Sequence, residues 1–146
     1  MMTVKALHIK QEKKGAAKSL EKLTLIEDFG PEGDAYGGPG ERQITLLGED
    51  DQRELEKDRD LGLCINRFIP NLTLSGTTSR LMAGDIYHLG KAVIRITAEK
   101  KVCHKGCSII DEEKRICLLP GTARFAAILK SGEVQAGDTL VKRVIL

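Results

Sequence analysis

At 146 residues the chain has the length of one domain, residues 1–146, and can bury a sizeable core without a metal or a disulfide. Hydrophobic residues make up 41% of it but aromatics only 3%, with no Trp, so Val, Ile and Leu must fill the core and few rings are left to stack on nucleobases. The 23 basic and 21 acidic residues leave a net charge of +2, which does not suit a phosphate-backbone binder, and no nucleic-acid partner is expected.

Thr3 to Ile9 is apolar and β-branched enough for a first strand, and the polar stretch Gln11 to Ser19 reads as a loop. Leu23 to Ile26 resumes the strand pattern. Gly33-Asp34-Ala35-Tyr36-Gly37-Gly38-Pro39-Gly40 is the most turn-prone segment, and Gln43 to Leu47 follows as a short strand. Glu49 to Asp60 is the one clear helix: Glu49, Asp50 and Asp51 crowd its first turn, where the helix dipole favours acids, Asp51 with Glu54 fits a helix-start signal, and Gly62 ends it. Leu55 is its only large apolar residue, so most of it should be solvated. Cys64 to Leu74 returns to extended chain around Pro70. The second half offers strands at Ile86–Leu89, Ala92–Thr97, Ile116–Leu119 and Thr139–Ile145. Gly84-Asp85 and Gly137-Asp138 each stand just ahead of one of them, turn chemistry feeding β structure. Many short strands with glycine punctuation predict a mainly β protein, a closed or nearly closed barrel with one or two short helices.

The sequence has no run near the roughly 18–20 apolar residues of a membrane span, and Lys5, Lys10, Glu12, Lys13 and Lys14 break up its N-terminus, so a cytosolic protein with no membrane partner is expected. Thiols stay reduced there, which reads Cys64, Cys103, Cys107 and Cys117 as buried residues, metal ligands or reactive thiols. The densest chemistry is Lys100-Lys101-Val102-Cys103-His104-Lys105-Gly106-Cys107, with Cys117 further on. Three readings stand. Cys103 is a reactive thiolate, its pKa lowered by Lys101, His104 and Lys105. Alternatively Cys103, Cys107, Cys117 and His104 bind zinc, although C-x3-C-x9-C fits the usual paired spacing poorly. Or these are thiols without function, the preferred reading for Cys64 in Leu63-Cys64-Ile65.

Two further clusters carry polar groups. The Gly33–Gly40 loop followed by Arg42 can hold a phosphate through backbone amides and a guanidinium, or simply connect strands. It lacks the ending of a nucleotide-binding P-loop. Asn66-Arg67-Phe68-Ile69-Pro70-Asn71-Leu72-Thr73 can fix a polar ligand or satisfy backbone groups at a strand bend. His8 and His88 sit within strand patterns, as structural or surface residues. No Ser/His/Asp set stands out.

These pieces occur in an order that resembles the MOSC family, the molybdenum cofactor sulfurase C-terminal domain, in its short stand-alone type. Gly33-Asp34 … Gly37 … Arg42-Gln43-Ile44-Thr45-Leu46-Leu47 resembles its opening signature, and Asn71-Leu72-Thr73 … Gly76 its N-L-T-x-x-G segment. Ala83-Gly84-Asp85 … Leu89-Gly90-Lys91-Ala92-Val93, Val102-Cys103-His104 … Cys107, and Arg124-Phe125-Ala126 … Gly132-Glu133-Val134 … Gly137-Asp138 follow in turn. The resemblance implies a β-barrel of the pyruvate-kinase-barrel-like type in a pyridoxal phosphate-associated family. It implies a key cysteine at Cys103 that carries sulfur as a persulfide or ligates the molybdenum of the molybdenum cofactor (molybdopterin). The implied pocket includes Asp34, Arg42, Asn71, Lys101, His104 and Arg124, with Cys107 and Cys117 as further sulfur ligands, of zinc in the alternative reading. A cysteine desulfurase or proteins of molybdenum cofactor biosynthesis are the implied partners. Relatives that bind the cofactor reduce N-hydroxylated compounds, the enzymatic alternative. Three departures stand out: Tyr36 where the family often has His, Val102 where Pro usually precedes the cysteine, and Ile69-Pro70-Asn71 where some members have R-P-N. The last implies a weaker hold on a cofactor phosphate, so that no tightly bound group is the other expectation.

Overall fold

Aliphatic and β-branched residues in short runs, separated by glycine turns, build strands along most of the chain. The computed structural model describes residues 2–12, 16–40, 42–56, 69–98 and 123–143. In these, chain order is β1 (Val4–Ile9), β2 (Lys18–Leu20), β3 (Lys22–Ile26), β4 (Gly30–Pro31), β5 (Ile44–Gly48), α1 (Glu49–Glu56), β6 (Leu72–Leu74), a turn of 3-10 helix (Thr78–Arg80), β7 (Ile86–Leu89), β8 (Ala92–Ala98), β9 (Arg124–Lys130), β10 (Gly132–Gln135) and β11 (Leu140–Lys142). An eight-stranded sheet runs β11-β7-β8-β9-β5-β6-β1-β2, and a three-stranded sheet runs β10-β3-β4. Neighbours pair antiparallel except β5 and β6, which run parallel, with α1 beginning the connection between them.

One face of the large sheet packs an aliphatic core in which Leu7, Ile44, Leu46, Leu72, Leu74, Leu89, Ile94 and Ile96 are fully buried, joined by Leu23, Leu25 and Val134 from the small sheet. Alternation along β5, β8 and β9 then places Thr45, Phe125, Ala127 and Arg95 on the opposite face. In β1, Val4 pairs Leu74 but Ala6 pairs Thr73, so Lys5 is an extra residue; this bulge lets both Val4 and Leu7 turn inward.

The strand content agrees with the sequence, and two short helices are present. The large sheet is connected back on itself: Val4 donates its amide to the Asp138 carbonyl (2.7 Å), Gly137 to Val4 (2.9 Å) and Leu140 to Met2 (2.8 Å), with a bridge between Thr3 and Thr139. That connection is an isolated bridge and not a run of paired strand residues, so the strands stand as two sheets. Both Gly-Asp pairs sit in turns ahead of β7 and β11, with Gly84 and Gly137 at positive φ. Three expectations shift. Lys18–Leu20 is a strand at the edge of the sheet, within and just beyond the stretch read as loop, because its backbone pairs with Leu7–Ile9 whatever its polarity. β9 and β10, which lack clean alternation, escaped the strand reading. The last strand among the described residues is Leu140–Lys142, against the expected Thr139–Ile145, of which Val144 and Ile145 lie outside the described residues. The helix beyond Glu56 and the strand at Ile116–Leu119 lie outside the described residues.

The junction of β5 and α1 fixes the turn after β6. Gly48 has no space for a side chain: a Cβ would come within 2.2 Å of the Gly76 carbonyl oxygen. Two acids of α1 face Arg53, Glu49 at 3.6 Å and Asp50 in closer contact, on the solvated side as expected. Asp51 instead turns inward and is buried. Its Oδ1 accepts from Thr77 Oγ1 (2.6 Å), and its Oδ2 accepts from Thr78 N (2.9 Å) and Thr78 Oγ1 (3.2 Å). Asp51→Ala is therefore expected to lower stability by about 2–3 kcal/mol in urea denaturation, since it deprives buried donors of their acceptor. Asp50→Ala, which breaks an exposed pair, should cost less than about 1 kcal/mol.

Candidate functional site

Asn71, at the entry to β6, organises the polar side of the large sheet. Its Nδ2 donates to the His8 carbonyl (3.1 Å) and to Asp34 Oδ2 (2.8 Å). Its Oδ1 accepts from Thr45 N (3.0 Å) and Thr45 Oγ1 (3.2 Å), and its backbone N–H donates to Thr45 Oγ1 (2.9 Å). The His8 amide donates to the Asn71 carbonyl (2.9 Å). One side chain thus links β1, β5, β6 and the glycine-rich loop. Asp34 is 7% exposed, and its second oxygen, Oδ1, accepts from the Tyr36 amide (3.2 Å).

The loop itself is tightly turned. Asp34 N donates to the Pro31 carbonyl, Ala35 N to Lys10, Gly37 N to Asp34 and Gly38 N to Phe29. With Tyr36 N on the Asp34 carboxylate, five consecutive amides are committed within the protein. Those amides do not form a phosphate cradle. Gly37 is required for packing: a Cβ there would lie 2.4 Å from the Phe29 ring. The far end of the loop is fixed by Gln43, a buried amide the sequence did not single out. Its Nε2 donates to the Gly40 carbonyl (2.9 Å) and Asp28 Oδ1 (3.3 Å), and its Oε1 accepts from Ile128 N (2.8 Å). Its place beside Arg42 in the family's opening signature was the only sequence signal for this role.

Between Gln43 and the loop stands Arg42. Its side chain is exposed, with the guanidinium 4.9 Å from the centroid of Phe125, and no carboxylate pairs with it among the described residues. A cation over an aromatic face keeps its N–H edges for other partners. Arg124 differs. It is 6% exposed and donates from Nε to the Leu81 carbonyl (2.9 Å), from Nη2 to Ser79 (3.0 Å) and from Nη1 to Ala123 (3.2 Å), so it braces the 3-10 turn from below. The structure therefore brings Asp34 and Asn71 together and sets Arg42 on the neighbouring Phe125, while Arg124 serves the segment 79–81. Lys101, Cys103, His104, Cys107 and Cys117, and also Cys64, Asn66, Arg67 and Phe68, lie outside the described residues. Among the described residues no group of three or more His, Cys, Asp or Glu could hold a metal ion, and no helix is long and apolar enough to cross a membrane. His88 is exposed on β7, and His8 is half-buried on β1.

Removing the Asn71 amide should loosen this whole arrangement. Asn71→Leu is expected to cost about 2–4 kcal/mol in urea denaturation, because the Thr45 amide, the His8 carbonyl and the Asp34 carboxylate lose their partner together. Arg42→Ala should cost less than about 1 kcal/mol. His8 gives a pH test. Its Nδ1 is buried without a hydrogen-bond partner, and burial holds its pKa below the usual 6.5. The unfolded chain then takes up the proton more readily, so this contribution is complete above about pH 6.5 and is lost as pH falls towards the folded-state value. Urea midpoints at about pH 7.5 and about pH 5.5 should differ less in His8→Gln than in the unaltered protein.

The match to a family model covers residues 28–141, and that family is the MOSC domain. Among solved structures the chain is similar to the YuaD protein from Bacillus subtilis, at 17% identity and a TM-score of 0.69 over 96% of this chain and 94% of that one. It is also similar to YiiM from Escherichia coli, at 19% identity and a TM-score of 0.62 over 99% and 72%, and to YiiM from Geobacillus stearothermophilus, at 16% and 0.60 over 99% and 76%. At these identities the likeness is one of fold. No curated protein matches the sequence. With the family model spanning Asp28 to Val141, from the loop of Asp34 through β11, the chain belongs to the MOSC domain family.

Proposed function

We propose that this protein handles sulfur or the molybdenum cofactor through the thiolate of Cys103, in the cytosol, as a sulfur carrier or a cofactor-binding protein. The MOSC family is associated with molybdenum-cofactor-related function. The observation that carries the reading is that the matched stretch, 28–141, includes Cys103 with Lys101, His104 and Lys105 beside it in sequence, basic residues of the kind that favour a thiolate. The bridge between Thr3 and Thr139 supports reading the eight-stranded sheet as a nearly closed barrel around the aliphatic core.

In the carrier version, the Cys103 thiolate attacks the outer sulfur of a persulfide on a cysteine desulfurase. The S–S bond of that persulfide breaks, its cysteine leaves as thiolate, and Cys103 becomes the persulfide. In the cofactor version, the molybdenum needs a soft sulfur ligand and the pterin phosphate needs donors. The described residues fit the second demand at one point: Arg42 presents an unpaired guanidinium on Phe125, whereas the donors of Asn71 end on His8 and Asp34 and those of Arg124 on main-chain carbonyls. Arg42 would hold the phosphate, Cys103 would face the metal, and Asp34 and Asn71 would position the loop beside them. When bound, the molybdenum would supply the redox chemistry by which N-hydroxylated compounds are reduced.

The two versions separate in one preparation. After incubation with a desulfurase and cysteine, the carrier version expects a mass increase of about 32 Da, one sulfur, that is absent in Cys103→Ser. Protein from a molybdenum-replete host should instead carry molybdenum, lost in Cys103→Ser and reduced in Arg42→Ala, if the cofactor version holds. Stoichiometric zinc that depends on Cys107 or Cys117, with neither sulfur adduct nor molybdenum, would sink both.

A further inference from the structure

Away from the loop of Asp34, the face of the large sheet turned from the core carries a second concave site. At one row of the sheet, Val141 of β11 stands opposite His88 of β7, His88 opposite Val93 of β8, and Val93 opposite Lys130 of β9. The turn joining β7 to β8 adds Lys91, the turn joining β9 to β10 adds Ser131, and the residue after β11 is Arg143. Together His88, Lys91, Val93, Lys130, Ser131 and Arg143 line a cleft of about 830 Å³, the size of a small-molecule site.

The charge of this cleft departs from the balance of the whole chain. Three residues in its lining carry a full positive charge, a fourth is a histidine, and none carries a carboxylate. Lys91, Lys130, Arg143 and His88 are exposed, and among the described residues their side chains have no ion-pair or hydrogen-bond partner. The neighbouring Lys142, by contrast, pairs with Asp85 at 3.7 Å. Like charges gathered in one concavity raise the local concentration of anions. The backbone beneath them is fixed, since Gly132 packs against the main chain of Lys91 so closely that a Cβ would lie 2.3 Å from the Lys91 carbonyl carbon. From β11 to β9 the row crosses three strand spacings, about 14 Å, longer than one phosphate. The half-buried Val93 and the His88 ring add a less polar wall.

We propose that this cleft binds an oligophosphate, a di- or triphosphate chain held by Lys91, Lys130 and Arg143. The site is independent of the reading given for Cys103: it lies where β8 begins and β9 ends, whereas the chain enters and leaves residues 99–122 at the other ends of these two strands, about 20 Å along a seven-residue strand.

Calorimetric titration of the full chain with inorganic tripolyphosphate and with ATP, both without divalent metal, tests it. Both should bind with a dissociation constant below about 1 mM, weakening about tenfold or more when salt rises from about 50 to about 300 mM. Equal affinities identify the phosphate chain as the whole ligand; tighter binding of ATP identifies a nucleotide. Lys91→Glu and Arg143→Glu should each weaken binding about tenfold or more, and the milder Lys91→Gln and Lys130→Gln by less, with thermal midpoints unchanged. Arg42→Glu should leave it intact. Lack of binding up to about 1 mM, affinity unaffected by the cleft variants, loss of affinity in Arg42→Glu alone, or adenosine binding as tightly as ATP would each overturn the proposal.

Discussion

A single side-chain amide holds the polar half of this molecule in register. Asn71 joins two strands on either side of β6 and reaches out of the sheet to Asp34, so both of its functional atoms are saturated. A buried amide that finds all of its partners is rigid, because each alternative arrangement strands a donor or an acceptor away from water. The rest of the loop inherits that rigidity: the Asp34 carboxylate, fixed from one side by Asn71, accepts the Tyr36 amide from the other, and Gln43 secures the exit at Gly40. Hydrogen bonds close the loop, while aliphatic packing on the opposite face of the same strands supplies the bulk of the burial.

This separation of tasks narrows what is free to meet a ligand. Of the two arginines in the family's sequence signatures, Arg124 is absorbed into the architecture, and Arg42 stands exposed on Phe125. A guanidinium on a ring is a directional anion receptor. The two arginines are both basic residues in matched motifs, yet one props up a turn and the other is available for binding. Their burial and partners tell them apart; their residue type does not.

Much of the fold was legible from the chain. β-branched runs marked β1, β3, β5, β7 and β8, and the paired Gly-Asp turns stood where φ had to be positive. What escaped had physical reasons. β2 is polar because an edge strand needs backbone partners more than a buried face, and β9 buries both faces for most of its length, so neither alternates. Within the candidate site, Asp34 and Asn71 were identifiable as a set only through the ordered family signatures, since their contact spans 37 residues. Asp51 and Gln43 were concealed by their types: an acid in the first turn of a helix and a polar residue before a strand have ordinary local explanations, and burial alone reveals that each ties distant segments together. The bridge between Thr3 and Thr139 was equally invisible, because neither residue carries a mark of being the other's neighbour.

That last contact sets an order of events during synthesis. β1 is among the first segments made, and β6, its partner on one side, follows at the middle of the chain. The backbone groups of Met2 and Val4 that face Gly137–Leu140 wait until nearly all of the protein has been made. Until then β1 presents an open flank with strand-ready amides and carbonyls, the kind of edge that recruits another chain. Folding that depends on so distant a pairing is slow compared with local hairpin formation. The exposed Lys5 of the β1 bulge is a charge placed on the strand that must wait, and it makes pairing with the wrong neighbour costly during that interval.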